Sequence, residues 1–357
     1  MKVLLLGEYS SLHRFLKEGL QELGVEVTLV ANGDGWKNIS GADRYLYGTS
    51  NTKIGRSYHR IIEPYMIAKD FKGYDVVQVI NTKLYSHRIN KDIMRRIKLQ
   101  NGLFSLAACG VDYRLCQAYK EGKFDYYLFD YEKPREYFGN TKYSQKWIEN
   151  DIAIENMADI IIPSMYDYTV GYSENPSLNG VIPLPINLKG IKYEDNVVGD
   201  KVVFFHGISR PSVKGTPFIK EALEKLKEKY PSDVEVIITE KLPYDEYVKV
   251  MKKTNIAIDQ CCCHSYGINA CISLGQGKVV LSNNSEMNMD VLNVGSSPII
   301  SIKPDSNQIF SELCKVLDNK KQILETGRKS RIYVEDTHDH VKVAKMYIDA
   351  WKKRMNR

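Results

Sequence analysis

The sequence predicts an α/β protein built from two Rossmann-like units, one in each half of the chain. Short apolar runs recur between amphipathic stretches. The first is Lys2 to Leu6, and the clearest in the second half is Lys201 to Phe205. Runs with nothing polar at their centre read as strands buried on both faces, the pattern of parallel sheets covered by helices. A third observation is Pro183-Leu184-Pro185-Ile186-Asn187 between the halves, where paired prolines stop a helix and stiffen a linker. The expected domains are residues 1–185, with a terminal helix at 339–357 packing back on them, and residues 186–338.

The bulk numbers agree with two cores. A chain of 357 residues, 43% hydrophobic and 26% charged, has the size and balance of a soluble globular protein. The formal charge of +6 is mild and its cations are scattered, so no nucleic acid partner is expected. An anionic substrate or contact with an anionic membrane surface fits that charge. No signal peptide and no spanning helix is expected, because the first apolar run stops at Gly7-Glu8. Seven cysteines, odd in number and partly adjacent, argue for a reducing cytoplasm rather than a disulfide framework.

In chain order, residues 1–7 read as a strand, 11–23 as a helix with Leu12, Phe15, Leu16, Leu20 and Leu23 on one side, and 25–30 as the next strand. Ligands of such sheets sit beyond the carboxyl ends of the strands. The loop Gly7-Glu8-Tyr9-Ser10 is therefore a candidate wall of a cleft. Residues 33–55 read as irregular. Residues 75–80 form a strand, and 86–100 a helix bearing Arg88, Lys91, Arg95, Arg96 and Lys98. Its cations read first as a solvated face, and secondly as a contact for lipid headgroups. Strands are expected at 102–110 and 158–164, with a helix from Trp147 to Met157 and Ser164 capping the helix that follows. The aromatics of 119–150 read chiefly as packing.

The chemistry gathers after Phe205. Following that strand come His206-Gly207, Arg210 and Lys214-Gly215, and Thr216-Pro217 then opens a helix to Tyr230. Two cations, two glycines and a helix N-terminus form an anion site, since backbone N–H groups and the positive end of the helix dipole point into it. The spacing is not that of a Walker loop and no GxGxxG is present. A diphosphate site with Arg210 and Lys214 as clamps is the reading. Strands at 234–239 and 255–259, a helix at 244–253, then 268–277 and a strand at 278–282 complete a second βαβαβ unit. The triple cysteine Cys261-Cys262-Cys263 lacks the paired spacing of structural zinc and reads as small buried side chains, so no metal is expected. Asp336, Thr337, His338, Asp339 and His340 read as the capped start of the last helix.

These residues also resemble a known family. Phe205-His206-Gly207, Arg210 and Lys214-Gly215-Thr216 resemble the C-terminal-domain phosphate loop of GT-B glycosyltransferases, closest to the large retaining family that builds polysaccharides and glycolipids from nucleotide sugars. Ala158-Asp159 through Pro163-Ser164, and Gly277-Lys278 with Val279, resemble two further strands of that family. Cys109-Gly110-Val111-Asp112 is similar to its H-G-S-D turn, with Cys109 where the His would stand. The paired glutamates of the family fall here on His264 and Ile272.

The resemblance implies a GT-B fold, two Rossmann-like domains facing a central cleft. It implies transfer of a sugar, with retention, from a nucleotide diphosphate sugar to a hydroxyl of a glycan or lipid-linked acceptor. No cofactor is implied beyond that donor. Arg210 and Lys214 would hold the donor diphosphate and act in catalysis, with Asp112 on the catalytic side. The donor pocket would take in His206, Gly207, Gly215, Thr216, Glu240, Asp259, His264, Tyr266, Gly267 and Ser273. Gly7, Glu8, Tyr9 and Cys109 would face the acceptor. The two departures also support rivals: a catalytically silent GT-B-like subunit that binds a nucleotide or partner, or a nucleotide-sugar epimerase.

Overall fold

The structure is a computed structural model of the 357-residue chain. It describes every residue except Ser209, 241–243 and Arg357, and the side chains of the rest apart from Trp36, Tyr244 and Asp245. Two five-stranded sheets organise it. The first holds β1 (Lys2–Leu6), β2 (Glu26–Val30), β3 (Val76–Val79), β4 (Leu103–Ala108) and β5 (Ile160–Pro163) in the order β2-β1-β3-β4-β5. The second holds β6 (Val202–Ile208), β7 (Val234–Glu240), β8 (Ile256–Ile258), β9 (Val279–Ser282) and β10 (Ile300–Ser301) in the order β10-β9-β8-β6-β7. Every pairing in both sheets is parallel. Counted from its own first strand, each sheet has the 2-1-3-4-5 winding. The strand order therefore reverses between β1 and β3 in one and between β6 and β8 in the other, the crevice where open α/β sheets hold ligands.

The chain divides into two compact units. One comprises Met1–Lys123, Pro134–Asn187 and His340–Arg357, and the other Phe124–Lys133 and Leu188–Asp339. Phe124–Lys133 lies inside the first domain of the linear reading but groups with the second unit.

In the first unit, alternate residues of β1 feed two cores, as the period of a strand requires. Val3 and Leu5 join Leu16, Leu20, Val343, Ala344, Tyr347 and Trp351. Leu4 and Leu6 join Val77, Val79, Phe104 and the helix residues Ile93, Met94 and Ile97. The terminal helix His340–Met355 is pinned at mid-sheet by Trp351, whose indole N–H donates to Ser105 Oγ at 3.2 Å. It approaches the helix Leu12–Glu22 so closely that a Cβ at Gly19 would overlap the His340 carbonyl.

Several boundaries differ from expectation. β6 continues through His206 and Gly207 to Ile208, because all seven of its residues pair with β7. A helical run begins at Lys53, capped by Thr52, and reaches Ala68 through a π-helical turn at Tyr58–Ile62. Irregular structure therefore stops short of Gly55. The helix ending at Met157 begins at Lys142. Ser164 does not cap a helix: the next one is Tyr166–Val170, whose N-cap is Met165. Asp336 and Thr337 close the helix Ile323–Thr337 rather than opening the last one.

Candidate functional site

The segment after β6 is built as a strand, a short turn and a helix. Arg210 precedes the four-residue helix Pro211–Lys214, and Gly215 connects it to the helix Thr216–Lys229. Gly215 sits at φ +71°, the left-handed region that glycine enters without strain. A Cβ there would also overlap Cys261 Sγ and lie 2.8 Å from Cys262 Sγ. The adjacent cysteines thus form the floor of this turn, and the Cys261 amide donates to Lys214 O at 3.2 Å. None of the seven cysteines is in a disulfide, and among the described residues no group of His, Cys, Asp and Glu converges as a metal site.

Lys214 is buried and its Nζ donates to Asp259 Oδ1. Asp259 follows β8, across the β6/β8 reversal, and its other oxygen, Oδ2, is buried with no hydrogen-bond partner among the described residues. That oxygen lies next to Gly267, which precedes the helix Ile268–Gly275; a Cβ on Gly267 would stand 3.9 Å from it. A carboxylate beside a helix start is favoured by the dipole. Arg210 is exposed and has no ion-pair partner among the described residues. At the start of the helix Thr216–Lys229, Pro217 has no N–H and the Phe218 amide donates to Gly215 O at 3.1 Å. Glu240 ends β7 opposite Ile208 and is exposed.

Several expected donor contacts are committed elsewhere. His206 is fully buried in the interior. Its Nδ1 donates to Ile258 O at 2.9 Å, which leaves Nε2 to accept from the Thr216 hydroxyl at 3.0 Å. Burial holds the ring well below its ordinary range, at about 4, so it is neutral. His206 positions Thr216 and offers no ring nitrogen to a phosphate. The Tyr266 hydroxyl lies between Tyr333 Oη at 2.7 Å and His338 Nε2 at 2.8 Å. Ser273 Oγ donates to Asn269 O at 3.0 Å, the turn below it on the same helix. His264 stacks on Tyr126 at 4.6 Å, with its Nε2 3.1 Å from Tyr126 O. The ring serves to hold the Phe124–Lys133 excursion onto the second unit.

In the first unit the β1 loop is occupied by its own side chains. Glu8 Oε2 accepts from the Arg14 amide at 2.8 Å and so caps the first helix, while Oε1 is buried with no partner among the described residues. Burial is the main cause that pushes its carboxyl up to about 7. Beside it Asp34 Oδ2 accepts from the Ser10 amide at 3.0 Å and from Lys37 Nζ at 2.6 Å, and Lys37 also reaches Ser10 Oγ at 2.7 Å. The sequence reading did not single out Asp34 and Lys37. Their only signal was position in the Gly- and Asn-rich stretch after β2. Gly7 lies in the β1 turn at φ +85°, and the Tyr9 ring packs against Gly110. The Cys109 thiol is pushed up to about 12 by burial and stays protonated. Asp112 caps the helix Tyr113–Lys120: Oδ1 accepts from the Leu115 amide at 2.8 Å and Oδ2 from the Tyr172 hydroxyl at 2.7 Å.

No protein-family model matches the chain, and no curated protein matches it in sequence. Solved structures do match its fold over nearly the whole length. A sucrose-phosphate synthase from Thermosynechococcus elongatus superposes with a TM-score of 0.63 at 12% identity, covering 99% of each chain. Anabaena Alr3699/HepE, solved in complex with UDP-glucose, gives 0.64 at 10% identity over 99% of this chain and 100% of that one. The UDP-GlcNAc 2-epimerase from Neisseria meningitidis, bound to UDP-GlcNAc, gives 0.56 at 13% identity with coverage of 99% and 100%. The fold is therefore GT-B: α/β, with two parallel five-stranded sheets.

Proposed function

We propose that this chain is a glycosyltransferase that moves a sugar from a nucleotide diphosphate sugar to a hydroxyl of a glycan or lipid-linked acceptor. The observation that carries the reading is Lys214, buried against Asp259 at the β6/β8 reversal, with the start of the helix Thr216–Lys229 and the exposed Arg210 beside it in the chain. As the donor's bond to its leaving group breaks, negative charge grows on the diphosphate. Lys214, Arg210 and the helix start would stabilise that charge without asking for a metal. Asp259 would hold the Lys214 ammonium aimed, and its second oxygen would receive a hydrogen bond from the donor. Retention of configuration follows from the family resemblance of the Arg210 to Thr216 loop. Seven cysteines, odd in number and partly adjacent, support a cytoplasmic setting.

Two neighbours were solved with UDP sugars, so a UDP sugar is the first donor to try. A thermal-shift screen against UDP-, GDP-, ADP- and CMP-linked sugars tests binding, since a ligand of the native state raises its stability. Product analysis with and without acceptor then tests the reaction. The epimerase among the fold neighbours supports a second reading, in which the donor sugar is converted with no acceptor present. The protonated Cys109 and the apolar Ile272 support a third, a subunit that binds the nucleotide without turnover.

A further inference from the structure

We propose that the helical run Lys53–Ala68 of the first unit is a docking face for an anionic lipid bilayer surface. The run continues for three segments, an α-helical start at Lys53–Ser57, a π-helical turn at Tyr58–Ile62 and an α-helical end at Glu63–Ala68. Its buried residues are Pro64 and Ala68, which seat it on the core. Four large apolar side chains remain in solvent: Ile54 is 85% exposed, Tyr58 38%, Ile62 53% and Met66 54%. They are spaced four apart. In a regular α-helix that spacing drifts by about 40° per step around the axis, so four residues would spread over a third of a turn. The π-helical turn holds more residues per turn and cancels much of that drift. The Tyr58 hydroxyl lies 3.4 Å from Met66 Sδ, which shows the two on one side although eight residues separate them. A continuous apolar stripe on a solvent face calls for a partner surface.

Charge decides which partner. The same run carries Lys53, Arg56 and Arg60, and its acid, Glu63, is engaged with His59 Nδ1 at 2.7 Å and the Gly48 amide at 2.5 Å. Nearby, His87 is held below its ordinary range first by burial and then by the charges of Lys146, Arg88 and Arg60, which come from three separate segments. Exposed Tyr143 packs edge-on to that ring at 5.2 Å. An apolar stripe on a run that carries three cations of its own, Lys53, Arg56 and Arg60, is the composition of an interfacial helix on anionic headgroups. An apolar protein partner would not require those cations, nor would solvent require the stripe. The inference does not depend on the transfer reaction, because none of these residues belongs to the Lys214 site.

The test is co-sedimentation of the full chain with vesicles of phosphatidylcholine alone and of phosphatidylcholine with phosphatidylglycerol. Binding is expected to the anionic vesicles and to weaken at high salt. Ile54→Ser with Ile62→Ser removes apolar area, and Arg60→Ser with Arg88→Ser removes charge. Each pair should weaken anionic-vesicle binding by tenfold or more, an effect of the order expected for two cations near a charged surface. Circular dichroism and the nucleotide-sugar thermal shift should be unchanged in both pairs, which separates this outcome from failure of the transferase reading. Equal binding to neutral and anionic vesicles would overturn the proposal. So would undiminished binding by the Ile54/Ile62 pair, or a dimer in size-exclusion chromatography that this pair abolishes while vesicles leave the wild type in the supernatant.

Discussion

Lys214 and Asp259 form a buried ion pair in which one carboxylate oxygen takes the ammonium and the other has no partner among the described residues. Removing one member of such a pair strands the other's charge in the interior, which typically costs about 3–5 kcal/mol. Lys214→Ala is therefore expected to lower stability by that order. Lys214→Met combined with Asp259→Asn should restore most of it, because no buried charge remains, yet give no thermal shift with any nucleotide sugar. Urea denaturation and the shift assay read the two outcomes separately. A full shift in the double variant would remove Lys214 from the site.

Arg210 is exposed, so Arg210→Ala should leave stability within about 0.5 kcal/mol of wild type. Its effect should fall on the donor instead, as a reduced thermal shift and a lower kcat. Unchanged kinetics with an active donor would remove Arg210 from the site and leave Lys214 as its cation.

Gly215 faces two obstacles to substitution, its φ of +71° and the cysteine floor. Left-handed backbone costs a non-glycine residue about 1–2 kcal/mol, and overpacking adds about 1–3 kcal/mol. Gly215→Ala should lose both amounts. Adding Cys261→Ala opens space and should recover the packing part only, measured as the denaturation midpoint of each variant.

Glu8 links stability to pH. Its folded pKa is raised from 4.5 to about 7, so the native state binds the proton more tightly than the unfolded chain. Stability from this group is full below pH 4.5, is lost as pH rises through 7, and amounts to roughly 3 kcal/mol. Glu8→Gln keeps an acceptor for the Arg14 amide and removes the titration. Its denaturation midpoint should exceed that of the wild type at pH 8 and converge with it near pH 4.5.

His13 and His206 act in the opposite sense. Burial lowers both from 6.5 to about 4, so the unfolded chain binds protons first. Their contribution is complete above pH 6.5 and falls as pH drops to 4, by up to roughly 3 kcal/mol each. Imidazole chemical shifts in NMR should report both rings neutral at pH 5.5. A ring that titrates near 6.5 would mean that water reaches it.

The local pattern of the chain determined the strands, most helices and the two-sheet α/β class. A run such as Val3 to Leu6 is apolar at every position, and only a strand covered on both faces buries all of them. The strand, glycine and cation order of residues 202–216 likewise marked a candidate anion site from the sequence, because the residue types of anion binding lie there in contiguous order. The terminal helix, too, was legible from its apolar face.

Tertiary structure decided which of those side chains are available. His206, Tyr266, Ser273 and Asp112 have the right chemical types at the right places in the chain, yet each spends its polar atoms on a neighbour brought from far away or from its own helix. The Lys214–Asp259 pair spans 45 residues and the Asp34–Ser10 contact 24, so no spacing rule could announce them. The excursion of Phe124–Lys133 into the second unit was equally hidden. A buried polar group must find a partner wherever folding supplies one, and a linear sequence does not say who the neighbours will be.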